Sequence, residues 1–596
     1  MKYNSLQNIW YLLKKGWKYD KSLYGLNIIY IIFNSILPFI SIIFPKFILD
    51  ELTGSRNIKS LIIILFLFVS SLLMLNFITT FLQSKIDPKF TMLRFKFVRN
   101  HSEVCMSINF EKTEDTNVLN QVNMASRSVS GNYVGIEGMY RNIFSFINDI
   151  ITFVGLLSLA LYLNYIIMFY LLISSLVIYY INLKIKKNEY DNDKNLTETD
   201  RKITYVSNLL NDVTYGKEIR LFGILQWIST KYTTLVNERI FYSKILNKKY
   251  LFANLLNIFF LLIREGIVYI YLIIRFITNM ITIGDFTMYF NVVNQFTGQI
   301  RKILDNCIYI QSQNMYINDY RNFVESVTEE QSKYIELPAM PYTINFQNVS
   351  FKYPNSDKII IKNFSYSFEC GKRIALVGYN GAGKTTLIKL LTRLYEPTEG
   401  DIYLNGINIK NFDKKKYFNL FSTLFQDYKI FSLNINENIA LCENTETDYK
   451  SIEKNIDKVG LSDKISSLPK HAETSLFKDL DYEGIELSGG ESQRVALARA
   501  LYKNGNVFIM DEPTASMDPL AENQFYQLLN SMTDMNRTYI FISHRLASTR
   551  FCDHILMLQN GEVIEQGNHE ELIEKHGAYY ELFEMQAENY RDSNVA

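Results

Sequence analysis

Six apolar segments, at residues 25–45, 60–82, 145–163, 165–183, 251–275 and 283–305, fix the architecture of the first half of this chain. Each approaches the ~20 residues that a helix needs to cross the hydrocarbon core of a bilayer. The third and fourth are separated only at Asn164, which predicts a tight helical hairpin, and the sixth is the least apolar. After about residue 343 the pattern changes to that of a soluble α/β domain. The predicted fold class is therefore a membrane α-helical bundle of six transmembrane helices followed by an α/β domain. Predicted boundaries are 1–22 for an amphipathic N-terminal helix, 23–325 for the membrane domain, 326–342 for a linker and 343–596 for the α/β domain.

Basic residues orient the bundle. Lys14, Lys15, Lys18 and Lys21 precede the first span, and Lys85, Lys89, Arg94, Lys96 and Arg99 follow the second. Lys184, Lys186 and Lys187 follow the fourth, and Lys244, Lys248 and Lys249 precede the fifth, whereas the opposite loops hold only a few such as Lys46, Arg56 and Lys59. The positive-inside rule puts both termini and the long loops 85–140 and 184–249 in the cytoplasm. Trp10, Trp17 and Tyr11 among lysines suit a helix lying at the headgroup level of the membrane; packing on protein is the plainer alternative. Inside the spans, Arg264, Glu265, Asp149 and the Asn291/Gln295 stripe either line a hydrated pathway or only join helices by hydrogen bonds and ion pairs.

The second half carries the chemistry. Gly378-Tyr379-Asn380-Gly381-Ala382-Gly383-Lys384-Thr385 follows the apolar run Arg373–Val377 and precedes a helical pattern. Such a loop turns backbone N–H groups onto phosphates at a helix N-terminus. Lys384 is expected on the β- and γ-phosphates and the Thr385 hydroxyl on Mg2+, with Thr386 adjoining. Two more apolar runs, Asn506–Met510 and Thr538–Ile542, read as buried parallel strands that deliver Asp511 and Glu512, and His544, at their C-terminal ends, where open α/β sheets bind ligands. Asp511 fits a Mg2+-linked position, directly or through water.

Leu487-Ser488-Gly489-Gly490-Glu491, together with these elements, resembles the nucleotide-binding domain of ABC transporters, and the whole chain looks like a half-transporter of the exporter type. Glu491 stands where the family usually has Gln. The resemblance implies ATP and Mg2+ as cofactors, Glu512 as general base toward the attacking water, and His544 as the switch residue on the γ-phosphate. It also implies Gln426 as a sensor of Mg2+ and water, and Tyr353 stacked on adenine. Ser488, Gly489, Gly490 and Glu491 would close over nucleotide held by a second chain, and Ser516–Asp518 would link the two sites. Segments near Thr113–Gln121 and Asn211–Gly216 stand where the family's coupling helices are expected.

Formal net charge is +1 without a basic block, so a nucleic-acid partner is not expected. The five cysteines, Cys105, Cys307, Cys370, Cys442 and Cys552, lack metal-ligand spacing and read as reduced thiols. No cleavable signal peptide is expected, and an N-terminal peptidase domain has no room. The reading is an ATPase in the cell membrane, multi-pass and homodimeric, that exports an amphipathic substrate, a modified or antimicrobial peptide first and a drug or lipid second. A channel gated by ATP on the same fold is the alternative from another class.

Overall fold

The computed structural model describes residues 2–160, 197–328, 334–513 and 537–591 apart from isolated positions, with scattered residues between 173 and 188. Most of the fourth span (165–183), the break at Asn164, Ser516–Asp518 and His544 lie outside the described residues, as does the Arg264 side chain. The chain forms two compact units: Met1–Ile108 with Thr116–Glu330, and Gln331–Ala596 with Asn109–Asp115.

The first unit is helical. α1 (Ser5–Tyr19) begins in a capping box between Asn4 and Gln7, and α2 (Lys21–Thr53) is capped by the Asp20 carboxylate. α3 (Ile58–Ser107) and α5 (Gly135–Ala160) flank α4 (Thr116–Ser130). α6 (Thr197–Asn211), α7 (Gly216–Leu221), α8 (Leu225–Ile277) and α9 (Ile283–Thr328) follow. At 1.5 Å per residue, the 50 residues of α3 extend ~75 Å, far beyond a ~30 Å hydrocarbon core. Long helices, rather than structureless connectors, therefore account for much of the two predicted loops.

Apolar residues divide by partner. Phe90, Phe97, Tyr140, Ile317 and Tyr320 are buried in one cluster, whereas Ile62, Phe66, Leu73 and Phe77 of α3 are exposed and suit lipid contact. Among the described residues α2, α3, α5 and α8 are long and apolar enough to span a membrane. α9 is not, although it runs unbroken for 46 residues. Its polar side chains find partners instead: Gln299 and Asn306 reach Asp149, and Asn314 accepts from Asn8 at 2.6 Å. α1 uses both faces: Asn8, Leu12 and Gly16 are buried, while Trp10 and Trp17 are 70% and 51% exposed.

The second unit has an antiparallel sheet in the order β2-β1-β4-β5 and a larger sheet in the order β10-β9-β3-β8-β7-β6. The strands are β1 (Ile344–Lys352), β2 (Ile359–Phe368), β3 (Arg373–Gly378), β4 (Glu399–Leu404), β5 (Ile407–Asn408) and β6 (Phe421–Leu424). β7 (Val507–Asp511), β8 (Thr538–Ile542), β9 (His554–Gln559) and β10 (Glu562–Gly567) complete them. β9, β3, β8, β7 and β6 are parallel, and β10 turns back antiparallel. β7 and β8 are buried at every position, as their unbroken apolar runs require.

Asn109–Asp115 packs within this second unit: Phe110 meets the Tyr395 ring at 5.7 Å, and Lys414 donates to Asn109 at 3.0 Å. This segment holds a 3-10 turn, Phe110–Glu114, which overlaps the start of the predicted Thr113–Gln121; from Thr116 onward that range belongs to α4.

Candidate nucleotide site

The C-terminal end of β3 is the origin of the site. Gly378 has φ +148°, and a Cβ there would lie 2.2 Å from the Leu558 carbonyl on neighbouring β9. Gly383, at φ +102°, would bring a Cβ to 2.6 Å from Ile361. Both positions therefore demand glycine on two counts, backbone conformation and space. The loop between them leads into α10 (Lys384–Leu391).

Lys384 is buried and folds back on the loop, donating to the carbonyls of Gly378 at 2.8 Å and Tyr379 at 3.1 Å. Burial lowers its pKa from the ordinary lysine value; the charges of Glu512 and Asp511 act in the opposite sense. Thr385 donates its hydroxyl to Asp511 Oδ2 at 3.0 Å across 126 positions of sequence. Burial pushes the Asp511 carboxyl up to about 6, and the neighbouring Glu512 charge adds to this, against the hydrogen bond from Thr385. A buried carboxylate held beside a hydroxyl is short of positive charge.

Glu512 adopts φ +51°, an uncommon conformation for a residue with a Cβ. The Gln426 side chain from the end of β6 donates to its carboxylate at 2.9 Å. Tyr353 shares a hydrogen bond of 3.0 Å with Thr386, and its ring meets Tyr395 edge-on at 5.3 Å, with the Lys389 ammonium 5.7 Å away. A cavity of about 870 Å³ brings together Tyr353, Asn380, Gly381, Gly383, Lys384, Thr385, Thr386, Gln426 and Glu512. Lys358, just before β2, and Ile360 on that edge strand line it as well. They were missed in the sequence because an alternating strand edge looks the same whether or not a ligand lies beside it.

The Ser488–Glu491 segment is absent from that cavity's lining. Ser488 caps α11 (Gly489–Lys503), and Glu491 returns the favour by accepting from the Ser488 N–H at 2.8 Å. Glu491 also pairs with Lys464 at 3.2 Å. A Gln could complete the same capping box, which explains physically how Glu is tolerated there.

The donor set fits Mg2+. It favours oxygen ligands and keeps few protein contacts, completing its shell with water and phosphate oxygens. Thr385 and Asp511 supply a hydroxyl and a carboxylate, and no cluster of three or more His, Cys, Asp or Glu suited to metal is found among the described residues. A bound Mg2+ would supply charge neutralisation for the phosphates.

The family model described as ABC transporter matches residues 361–515. The subtilin transport ATP-binding protein SpaT of Bacillus subtilis is 30% identical, over 96% of this chain and 92% of its own. The nisin transport ATP-binding protein NisT of Lactococcus lactis subsp. lactis is 26% identical over 95% of this chain and 94% of its own. A solved bacterial Atm1-family ABC exporter with ATP bound shares the fold, with a TM-score of 0.78 at 20% identity over 95% of this chain and 98% of that one. The membrane helices, the ATP cavity and these full-length similarities agree: the chain belongs to the ABC transporter family, as a multi-pass membrane half-transporter whose ATPase domain drives export.

Proposed function

We propose that the chain exports an amphipathic peptide across the cytoplasmic membrane as a homodimer, with its termini and nucleotide domain in the cytoplasm. The observation that carries this reading is similarity along nearly the whole chain to transporters named for subtilin and nisin, both peptides. Similarity confined to the ATPase domain would speak only to the motor.

In this reading Tyr353 stacks on adenine, and the N–H groups from Gly378 to Thr386, with Lys384, hold the phosphates. Thr385, Asp511 and Gln426 hold Mg2+. Glu512, steadied by Gln426, takes the proton of the attacking water; a positioned base of this kind contributes ~10²–10⁴-fold. His544 would assist at the γ-phosphate. Ser488, Gly489 and Gly490 of one copy would close on the ATP of the other, and Glu491 would hold that helix start in shape. ATP then favours the closed pair, and its hydrolysis releases it.

Inside-out vesicles carrying the protein, given a fluorescent amphipathic peptide, test the reading. ATP-dependent accumulation that disappears in Glu512→Gln is expected. Movement of hydrophobic dyes or lipid, with no movement of peptide, would overturn the substrate. Native mass measurement of Glu512→Gln with Mg-ATP should show two chains, and a monomer would overturn the shared site.

A further inference from the structure

In the membrane unit, a cavity of about 480 Å³ opens among α2, α3, α5 and α9, within the size range of sites for small ligands. Ile86, Phe90 and Phe144 form an apolar side. Against it stands Asp149, a carboxylate on α5 that is only 4% exposed. Gln299 donates to one of its oxygens at 2.7 Å, and Asn306 donates to the other at 2.7 Å. Each carboxylate oxygen can accept two hydrogen bonds and here takes one, so acceptor capacity remains. Among the described residues no ion pair reaches Asp149.

The other charges at the cavity are differently placed. Arg141 is occupied by Asp87 and Glu137, with the latter 2.9 Å away. Asp305 is exposed and stands 3.8 Å from Arg301. Lys302 lines the cavity and is exposed. Among the described residues lining the cavity, Asp149 is thus a buried carboxylate held by neutral side chains. A buried charge is normally matched by an opposite one, and two carboxamides orient a carboxylate without neutralising it.

We infer that this cavity binds a protonated amine of the exported substrate, with Asp149 as counter-ion and the Ile86, Phe90 and Phe144 side receiving the adjoining apolar groups. This rests on the reading of the chain as a peptide exporter, and it adds the charge that the substrate must carry. Gln299 and Asn306 are positioning residues for the carboxylate.

The test uses the full-length protein in lipid nanodiscs. The probes are a 20-residue amphipathic peptide with several lysines and the same peptide with every amine acetylated, each titrated for stimulation of ATP turnover (~20 residues being ample to span the cavity). In the unaltered protein the lysine peptide should half-stimulate at a concentration at least ~10-fold lower, the equivalent of about 1.4 kcal/mol. Asp149→Asn should erase that difference, Asp149→Glu should restore part of it, and Lys302→Gln should widen it by removing a like charge. A merely structural Asp149 would instead shift both peptides together, which would overturn the inference. Equal stimulation by both peptides in the unaltered protein overturns it even if Asp149→Asn does not fold, and leaves peptide export standing. If neither peptide stimulates turnover or is transported, the reading of the substrate as a peptide fails, and the amine site with it.

Discussion

Asp511→Asn should make the nucleotide-free protein more stable while disabling its use of Mg2+. In the folded chain the Asp511 carboxyl is raised from 3.8 to about 6, chiefly by burial. A raised carboxyl binds its proton more tightly when folded, so its contribution to stability is full below 3.8 and is lost as pH rises through about 6. At pH 7.5 the ionised group therefore costs the folded state about 3 kcal/mol, from a little over two pKa units at about 1.36 kcal/mol each. Asparagine removes that charge and keeps an oxygen to accept from Thr385. For a domain of this size about 1 kcal/mol moves the melting temperature by ~2–4 °C, so a rise of about 6–12 °C is the upper expectation at pH 7.5. The advantage should fall by about half at pH 5, where the native carboxyl is already mostly protonated. Thermal unfolding of the nanodisc-held protein without nucleotide, at both pH values, measures this directly. Adding Mg2+ with ATP should then raise the melting temperature of the unaltered chain more than that of the variant. A lower melting temperature for Asp511→Asn at pH 7.5, or the same shift at both pH values, would refute the burial argument.

Glu512→Gln should lower phosphate release by ~10²–10⁴-fold while ATP binding, followed by fluorescent-analogue titration, is retained. Tyr353→Ala should weaken ATP binding by ~5–150-fold, the range expected for one lost base–aromatic stack of about 1–3 kcal/mol. Tyr353→Phe, which removes only the hydrogen bond to Thr386, should stay within ~5-fold of the unaltered chain in the same titration. Glu491→Gln should keep the capping box and lose only the partly exposed pair with Lys464, leaving ATP turnover within about twofold. Glu491→Ala should cost about 1 kcal/mol in the melting of the same domain.

Local physics explains what could be read from the chain directly. The phosphate loop is eight contiguous residues whose glycines answer to backbone sterics, so Gly378 and Gly383 were legible before any neighbour was known. The runs ending at Val377, Met510 and Ile542 were legible as buried parallel strands because both faces of such strands are covered. Apolar length likewise marked α2, α3, α5 and α8. α9 gave a weak signal because its carboxamides are satisfied by Asn8, Asp149 and the Tyr3 backbone, contacts that hydropathy cannot register.

Distance along the chain separates this from what folding alone decided. The Thr385–Asp511 and Gln426–Glu512 bonds join residues 126 and 86 positions apart, and the Glu512 N–H donates to the Ile542 carbonyl of β8. Asp149 was one of several intramembrane polar residues with two open readings. Its burial between Gln299 and Asn306, 150 and 157 positions away, is what marks it out among the described residues. Sequence determined which segments are helix, strand and phosphate loop, because those depend on neighbours within a few residues. Which charges meet and which lie buried among neutral partners depends on long-range packing, and only the tertiary structure decided it.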